Sequence, residues 1–297
     1  MSAKATAATA IATQRSGPGD ADTLSQTLDT LAQVYYAEGR LNEAEAPLRE
    51  ALALRKTHLG TRHALTALSM NNLGALLYQS GRYTEAAAQW QEAVPVYRDV
   101  FGPEHPDLAT LLNNLGRSAL MAGRVDEAIA IFEQALQMTE KLEGPTHDDL
   151  VRPLNSLGMA YLYEGDPARA RTNIDLALKI ARLRDHSDLD QVVLNAADLE
   201  LSSHRTQEAA PLLREARQLL ETRYSPPDQS AQWRYAAWEA VNAKYLALVN
   251  RPDEARAAFA RAREVLTKRF GPQGFYVLRL DQRAAGSSDL IDAPARR

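Results

Sequence analysis

The chain has 297 residues, of which 45% are hydrophobic and 24% charged, a composition typical of folded globular proteins and not of disordered or fibrous ones. Its 34 basic residues are outnumbered by 38 acidic ones, so the positive field that supports nucleic-acid binding is missing and we expect no nucleic-acid partner. The absence of cysteine excludes disulfides, thiolate metal sites and thiol nucleophiles, but it fits reducing and oxidising compartments alike.

The first element in the chain is a predicted disordered tail over residues 1–21. Its sequence MSAKATAATAIATQRSGPGD lacks the continuous apolar core of a secretory signal. An alanine-, serine- and threonine-rich opening with no acid before Asp20 is also typical of a transit peptide, and this alternative stays open. No apolar run approaches the roughly 18 residues that span a bilayer. We therefore expect no membrane insertion and take the cytoplasm as the default location.

From residue 22 onward the sequence is periodic, because a glycine-containing pair returns at a constant interval. An alanine follows each pair after four or five positions, and later alanines continue the pattern less regularly. We predict six repeats, at about 22–64, 65–107, 108–149, 150–190, 191–230 and 231–274, with the last two diverged. The pairs are Gly39-Arg40, Gly81-Arg82, Gly123-Arg124 and Gly165-Asp166, and the alanines are Ala44, Ala86, Ala128, Ala170, Ala209 and Ala255.

Each repeat is predicted to contain two helices, here called A and B. In repeat three, leucines and alanine from Leu108 to Ala119 follow the spacing of an amphipathic helix A, which Gly123 ends. Asp126 is then expected to cap helix B, which runs to Gly144. His204 and Asn250 replace the turn glycine in repeats five and six.

Small and rigid residues inside these helices have predicted structural roles. Glycines inside helix A should let helix B approach closely, since glycine otherwise costs a helix about 0.5–1 kcal/mol. Prolines inside predicted helices should remove a ladder hydrogen bond and bend the helix. The glycines are Gly74, Gly116 and Gly158, and the prolines are Pro47, Pro95, Pro153 and Pro211.

These residues resemble the tetratricopeptide repeat family, in the 42-residue form found in kinesin light chains, over residues 22–274. The resemblance rests on positions such as Leu73, Gly74 and Ala86 in repeat two, and on the segment FGPEHPDLATLLNNLG. It implies an all-α, right-handed superhelical solenoid of about six helix-turn-helix hairpins. Residues 275–297 should form a short capping helix, over about 275–285, followed by a polar tail.

One face of helix A carries polar residues opposite the leucine stripe, and we predict that it binds an extended peptide. Asparagine amides suit this task because they both donate to and accept from a peptide backbone, and the resemblance implies the same role. Arginines there would favour a carboxylate in the ligand. The alternative is that some of these asparagines bond neighbouring helices or face water. The predicted site residues are Gln33, Asn71, Asn72, Asn113, Asn114, Arg117, Arg152, Asn155, Tyr163 and Asn195.

Three histidines, His63, His105 and His147, recur with the same period as the glycine pairs, but they do not predict a metal site. Equivalent positions lie about 20 Å apart across two helix layers, whereas zinc ligands lie about 2 Å from the ion. We interpret the histidines as loop residues that precede helix A. The sequence contains no phosphate loop, nucleophile elbow, HExxH or EF-hand pattern. It therefore predicts no catalytic residue, no metal and no cofactor.

The sequence as a whole predicts a non-catalytic scaffold that holds a protein or peptide in the concave groove lined by the A helices. The alternative function is structural, in which the chain assembles with itself or within a larger complex through its hairpin ends. A homo-oligomer is compatible with either function. The sequence does not identify the partner.

Overall fold

A computed structural model describes residues 21–224 and 232–272, together with the helical residues 277, 280 and 281. Within these residues every regular element is a helix and no strand occurs, which confirms the all-α fold class. Residues 1–20 of the predicted tail and all residues after 281 lie outside the described residues, and Ala21, the last residue of the predicted tail, is the first residue of a helix. None of the described helices is both long and apolar enough to cross a membrane.

The chain divides after Ala122 into two compact units. The first unit contains two complete A–B helix pairs, α1 with α2 and α3 with α4, followed by the A helix α5, which packs on α4. The bounds are α1 Ala21–Ala37, α2 Leu41–His58, α3 Ala64–Gln79, α4 Tyr83–Phe101 and α5 Pro106–Met121.

The second unit begins with the B helix α6, which packs on α7, and continues with three A–B pairs. A short 3-10 turn at Asp148–Leu150 leads into α7. The bounds are α6 Val125–Glu143, α7 Val151–Glu164, α8 Pro167–Arg184, α9 Leu189–Ser202, α10 Thr206–Arg223, α11 Gln232–Leu248 and α12 Pro252–Phe270.

The turns between helix A and helix B have the predicted left-handed residue. Gly39, Gly81, Gly123 and Gly165 have φ angles of 73°, 78°, 77° and 89°. His204 and Asn250, at 56° and 59°, adopt the same conformation in repeats five and six. Because asparagine and histidine tolerate this region better than most side chains, the turn survives without glycine. In all six repeats the turn between helix A and helix B therefore contains one residue with a positive φ.

Helix B begins differently from the sequence prediction. Asp126 is not the capping residue of α6, because the helix starts at Val125 and its N-cap is Arg124, which makes no side-chain capping bond. The arginine instead pairs with Glu127, three residues on, at 2.9 Å. Arg40 with Glu43, Arg82 with Glu85 and Arg251 with Glu254 make the same pair. The recurring Gly-Arg pair is thus a turn glycine followed by an arginine that binds the first turn of helix B.

The repeated histidines stand before helix A, as predicted, and in addition they cap it. Nδ1 of His63 accepts a hydrogen bond from Leu65 N, and Nδ1 of His105 accepts one from Asp107 N, each at 3.2 Å. His147 caps the 3-10 turn that leads into α7, with Nδ1 accepting from Asp149 N at 3.3 Å, and His186 Nδ1 accepts from the amide of Asp188, the N-cap residue of α9, at 3.0 Å. Each ring nitrogen thereby satisfies a backbone donor that the helix itself leaves unpaired.

Close helix approach explains two of the three predicted glycines inside helix A, Gly74 and Gly158. A Cβ atom added to Gly74 would lie 2.7 Å from Trp90 Nε1, and one added to Gly158 would lie 2.6 Å from Ile174 Cγ1 and 3.1 Å from the Ala170 carbonyl oxygen. A larger residue would require the Trp90 ring, or Ile174 and the nearby backbone, to shift. Both glycines have helical backbone conformations that any residue can adopt, so close packing, and not backbone conformation, explains glycine at these positions.

Pro47, Pro95 and Pro211 lie inside B helices, as the sequence predicted. Pro153 differs, because it is the third residue of α7. The amide of a residue in the first turn has no intrahelical partner to lose, so Pro153 does not interrupt the helix.

The end of the second unit is covered by residues of the predicted capping segment. Val277 and Leu280 are fully buried against α11 and α12, where they join Ala236, Ala262 and Leu266. Arg263 Nε also lies 3.1 Å from Asp281 Oδ1. The rest of the predicted capping helix lies outside the described residues.

Candidate functional site

Two A helices carry adjacent asparagines, Asn71-Asn72 on α3 and Asn113-Asn114 on α5. The first asparagine of each pair faces the interior of the helix packing. Asn71 Oδ1 accepts a hydrogen bond from Trp90 Nε1 at 3.0 Å, which joins α3 to α4. Asn113 on α5 is buried, and its Oδ1 has no hydrogen-bond partner among the described residues. Asn71 therefore bonds a neighbouring helix, as the alternative for these asparagines expects, and Asn113 has little surface to offer a ligand.

Asn155 and Asn195 bond to each other. Asn195 is 2% exposed, and its Nδ2 donates to Asn155 Oδ1 at 3.0 Å, while its Oδ1 accepts from Gln191 Nε2 at 3.2 Å. The pair joins α7 to α9, the A helices of consecutive repeats. Asn195 therefore lies in a helix interface and has no accessible amide for a ligand.

The second asparagine of each pair has a different environment. Asn72 on α3 and Asn114 on α5 are half-buried, and neither side chain makes a hydrogen bond to another described residue. Gln33 on α1 is exposed, and so are Leu68 on α3 and Thr110 on α5. We call Gln33, Leu68, Asn72, Thr110 and Asn114 the open stripe.

A pocket of about 160 Å³ lies beside the open stripe, between α1, α2 and α3. Gln33 and Asn72 belong to its lining, together with apolar groups from all three helices. A cavity of about 150 Å³ is large enough to hold a benzene ring. The pocket is therefore suited to one side chain and is too small for a whole cofactor.

A buried ion pair lies behind this pocket. Arg55 on α2 is 3% exposed, and its Nη1 lies 2.6 Å from Asp29 Oδ2 and 2.5 Å from Ser69 Oγ. Burial raises the pKa of Asp29 above its ordinary value, although the Arg55 charge opposes part of that rise. The network ties α1, α2 and α3 together and fixes the walls of the pocket.

The predicted arginines already have internal partners. The Arg117 guanidinium on α5 lies over the Tyr78 ring, with 4.6 Å between its central carbon and the ring centroid. Arg152 on α7 is 59% exposed, and its Nε lies 2.8 Å from Asp188 Oδ2. Burial alone would raise the pKa of Asp188, but Arg152, with help from His186 and Arg234, holds that pKa below its ordinary value. Arg152 thus binds a carboxylate of this chain.

Tyr163, the last predicted site residue, is an exposed side chain near the end of α7.

The A helix α9 of repeat five is covered by charged residues from α11. Asp190 lies 2.8 Å from Arg234 Nη1, and Asp198 lies 3.1 Å from Lys244 Nζ. Both carboxylates are buried, so these pairs hold α11 on the face of α9 that the sequence assigned to ligand. The sequence signal was available, since acids on one A helix match bases on the next.

One group of potential metal ligands occurs among the described residues, at His147, Asp148 and Asp149, whose ligand atoms lie within 4.8 Å of one another. His147 Nδ1 is already used, since it accepts the hydrogen bond from Asp149 N that caps the 3-10 turn. The described part of the chain groups no other such residues closely enough for a metal.

Comparison with known proteins agrees with this architecture. No curated protein sequence matches the chain. Among solved structures, BtubC (BKLC) from P. vanneervenii has a TM-score of 0.61 at 22% identity, covering 75% of this chain and 91% of its own. A Podosopora anserina protein assigned as a kinesin light chain, with nearly identical TPR-like repeats, has a TM-score of 0.56 at 22% identity, covering 69% of this chain and 99% of its own.

A third similar structure is a Rap protein complexed with Competence and Sporulation Factor, with a TM-score of 0.64 at 12% identity, covering 94% of this chain and 80% of its own. At these identities the likeness shows the fold. The sequence models described as tetratricopeptide repeat match residues 24–65, 65–141 and 118–183. The chain therefore belongs to the tetratricopeptide repeat family.

Proposed function

We propose that the protein is a non-catalytic interaction scaffold that binds an extended segment of a partner protein along α1, α3 and α5 of the first unit. The observation that carries this proposal is the contrast between two A-helix faces. The open stripe of α1, α3 and α5 keeps its amides unbonded beside a pocket, whereas the corresponding face of α9 is covered by α11.

The chemistry of the open stripe favours a backbone ligand over a strongly charged one. Gln33, Asn72 and Asn114 each offer amide donors and an acceptor, which match the peptide groups of an extended chain. The nearby arginine, Arg117, lies over Tyr78, and Asp29 is paired with Arg55. The stripe therefore presents hydrogen-bonding groups and apolar surface without a strong charge of either sign. Among similar folds, the Rap protein also holds a bound factor, which agrees with this use of the architecture.

The test compares partner binding by the wild-type chain and by the double variant Asn72→Ala, Asn114→Ala. Proteins retained by the wild type and lost by the double variant would be purified, and their affinities measured directly. A matched double variant, Asn42→Ala with Asn173→Ala, removes two asparagines outside the stripe. We expect the stripe variant to bind about tenfold more weakly, since each lost hydrogen bond is worth about 0.5–1.5 kcal/mol. Equal affinities for all three proteins would exclude the stripe as the binding surface.

A second candidate function, self-assembly through hairpin ends, is favoured by one observation. Leu183, in the last turn of α8, is 73% exposed, and Leu142, near the end of α6, is 37% exposed. A large exposed leucine is a common element of protein interfaces when it belongs to an apolar patch. Light scattering over a range of protein concentrations tests this: a mass that rises with concentration, and that Leu183→Lys reduces to the monomer value, would support assembly. A constant monomer mass would exclude it.

A further inference from the structure

The pocket of the first repeat corresponds to a space that a tryptophan fills in the second repeat. Trp90 on α4 packs against Gly74, and its ring centroid lies 6.1 Å from that of Tyr78. Its Nε1 also donates to Asn71 Oδ1. Three residues of α3 thus surround one aromatic side chain supplied by helix B of the same repeat.

The first repeat keeps the tyrosine of these surroundings but lacks the tryptophan. Leu48 on α2 occupies the position that Trp90 holds one repeat later. The residues in the positions of Gly74, Tyr78 and Asn71 are Ala32, Tyr36 and Asp29, and all three line the pocket. Since leucine is much smaller than tryptophan, the first repeat leaves part of an aromatic site unfilled.

The mouth of the pocket is open for a related reason. Ala75 on α3 lines it, and the residue at the same position of the next repeat is Arg117, whose guanidinium lies over the Tyr78 ring. Alanine is too short to reach across the pocket mouth as the arginine does. Tyr36 is 39% exposed, so part of its side chain lies at an accessible wall, where an incoming aromatic ring would pair with it edge to face or offset.

The interior of the pocket offers little to a polar group. Asp29 Oδ2 is bound by Arg55. Asp29 Oδ1 has no hydrogen-bond partner among the described residues, but it is shielded from solvent, so we expect that a hydroxyl group in the pocket does not reach it. The other interior residues include Ala32, Leu48 and Ala75. The two amide side chains, Gln33 and Asn72, belong to the open stripe, so their hydrogen-bonding groups are available beside the pocket. A hydroxyl carried into the interior would lose its water without gaining an accessible partner.

We propose that this pocket binds one aromatic side chain of phenylalanine size from the partner segment, while Gln33 and Asn72 bind the adjacent backbone amides. The size of the pocket, its apolar interior and the aromatic side chain in the equivalent space of repeat two all support this occupant. The inference rests on the proposed function, since it names the side chain that the open stripe selects.

The probes are three capped amino acids added to the full-length protein, with binding followed by backbone amide NMR shifts. N-acetylphenylalaninamide is expected to bind saturably, with a dissociation constant on the order of 1 mM for a ligand of this size, and to shift amides around the pocket. N-acetyltyrosinamide should bind about tenfold more weakly, because its hydroxyl is buried without a partner. N-acetylalaninamide should cause no saturable shift. A phenylalanine probe that leaves these amides unshifted, or that binds no better than the alanine or tyrosine probe, would overturn the proposal.

Two variants transfer features of repeat two into repeat one. Leu48→Trp places an indole in the pocket, and Ala75→Arg places a guanidinium over Tyr36. Each is expected to abolish binding of the phenylalanine probe, whereas Ala53→Arg, at an exposed site on α2 outside the pocket, should bind it as the wild type does. If Leu48→Trp does not fold, Ala75→Arg decides the outcome. Wild-type affinity in the folded pocket variants would contradict the assignment.

This test can fail separately from the proposed function. If the phenylalanine probe does not bind but partner affinity still depends on Asn72 and Asn114, the open stripe is supported as the binding surface and the aromatic pocket is excluded. If the probe binds at the pocket but partner affinity is unaffected by Asn72 and Asn114, the pocket is supported and the open stripe is excluded as the binding surface.

Discussion

Asn195 Nδ2 donates a hydrogen bond to Asn155 Oδ1 over 3.0 Å, and so joins the A helices of repeats four and five. In the sequence these asparagines look like Asn72 and Asn114, since all four occur on A helices next to the leucine stripe. Their environments separate them into two groups. One group bonds helix to helix, and the other faces an open surface.

Replacing Asn195 by alanine should destabilise the protein far more than replacing Asn72. Asn195→Ala leaves Asn155 and Gln191 without their partner in a buried interface, which should lower the free energy of unfolding by about 1–3 kcal/mol. Asn72→Ala should change it by less than about 0.5 kcal/mol, since its side chain has no bond to lose. Urea unfolding measures both, and equal costs would contradict the division of the asparagines into two groups.

Gly74→Ala should destabilise the protein by about 1–3 kcal/mol, because the new methyl group overlaps the Trp90 ring. The better helix propensity of alanine returns only about 0.5–1 kcal/mol. Repeat one carries Ala32 and Leu48 at these positions, so Trp90→Leu should make alanine at position 74 tolerable. A double-mutant cycle by urea unfolding measures this coupling, and strictly additive costs would show that the two side chains do not compete for space.

His105→Ala should lower the free energy of unfolding by about 1 kcal/mol, since it removes the acceptor that caps α5. His105→Asn should retain most of the stability, because the asparagine oxygen can accept the same bond. Thermal unfolding of the three proteins at neutral pH tests the prediction, and an alanine variant as stable as the wild type would refute it.

Arg152→Gln should cost stability at neutral pH and less in acid. The pKa of Asp188 is lowered in the folded chain, so its contribution is present above the unfolded value of 3.8 and is lost as pH falls through the folded pKa. Because Arg152 is largely exposed, we expect a difference of no more than about 1 kcal/mol at pH 7. Thermal melts of both proteins should converge as the pH falls below 3.8 and through the folded pKa of Asp188. A difference that persisted unchanged in acid would mean that Arg152 acts through packing instead of charge.

Much of the fold could be predicted because its determinants are local and recur in every repeat. Gly39, Gly81 and Gly123 fix the turns, and their left-handed conformation is a property of each position alone. Gly74 and Gly158 predicted close helix approach for the same reason, since the facing residue belongs to the same hairpin. The family itself followed from these positions.

The environment of each asparagine could not be predicted, because adjacent positions on a helix differ by only about 100° around the axis. Asn71 reaches Trp90, whereas Asn72 faces the stripe, and the pattern of apolar residues does not resolve that difference. The covering of α9 depends on Arg234 and Lys244, which belong to the repeat after the one that carries the acids they bind. Such pairings depend on packing between repeats, which local sequence patterns do not record.

The central claim is that the partner lies along the open stripe of α1, α3 and α5. The most direct measurement is site-specific photocrosslinking from two exposed leucines, Leu68 on the stripe, which is 40% exposed, and Leu183 at the end of α8, which is 73% exposed. A crosslinking residue placed at each position would be irradiated in the presence of the partner identified by affinity capture. We expect covalent adducts from position 68 and none from position 183. Adducts from position 183 alone would contradict the account.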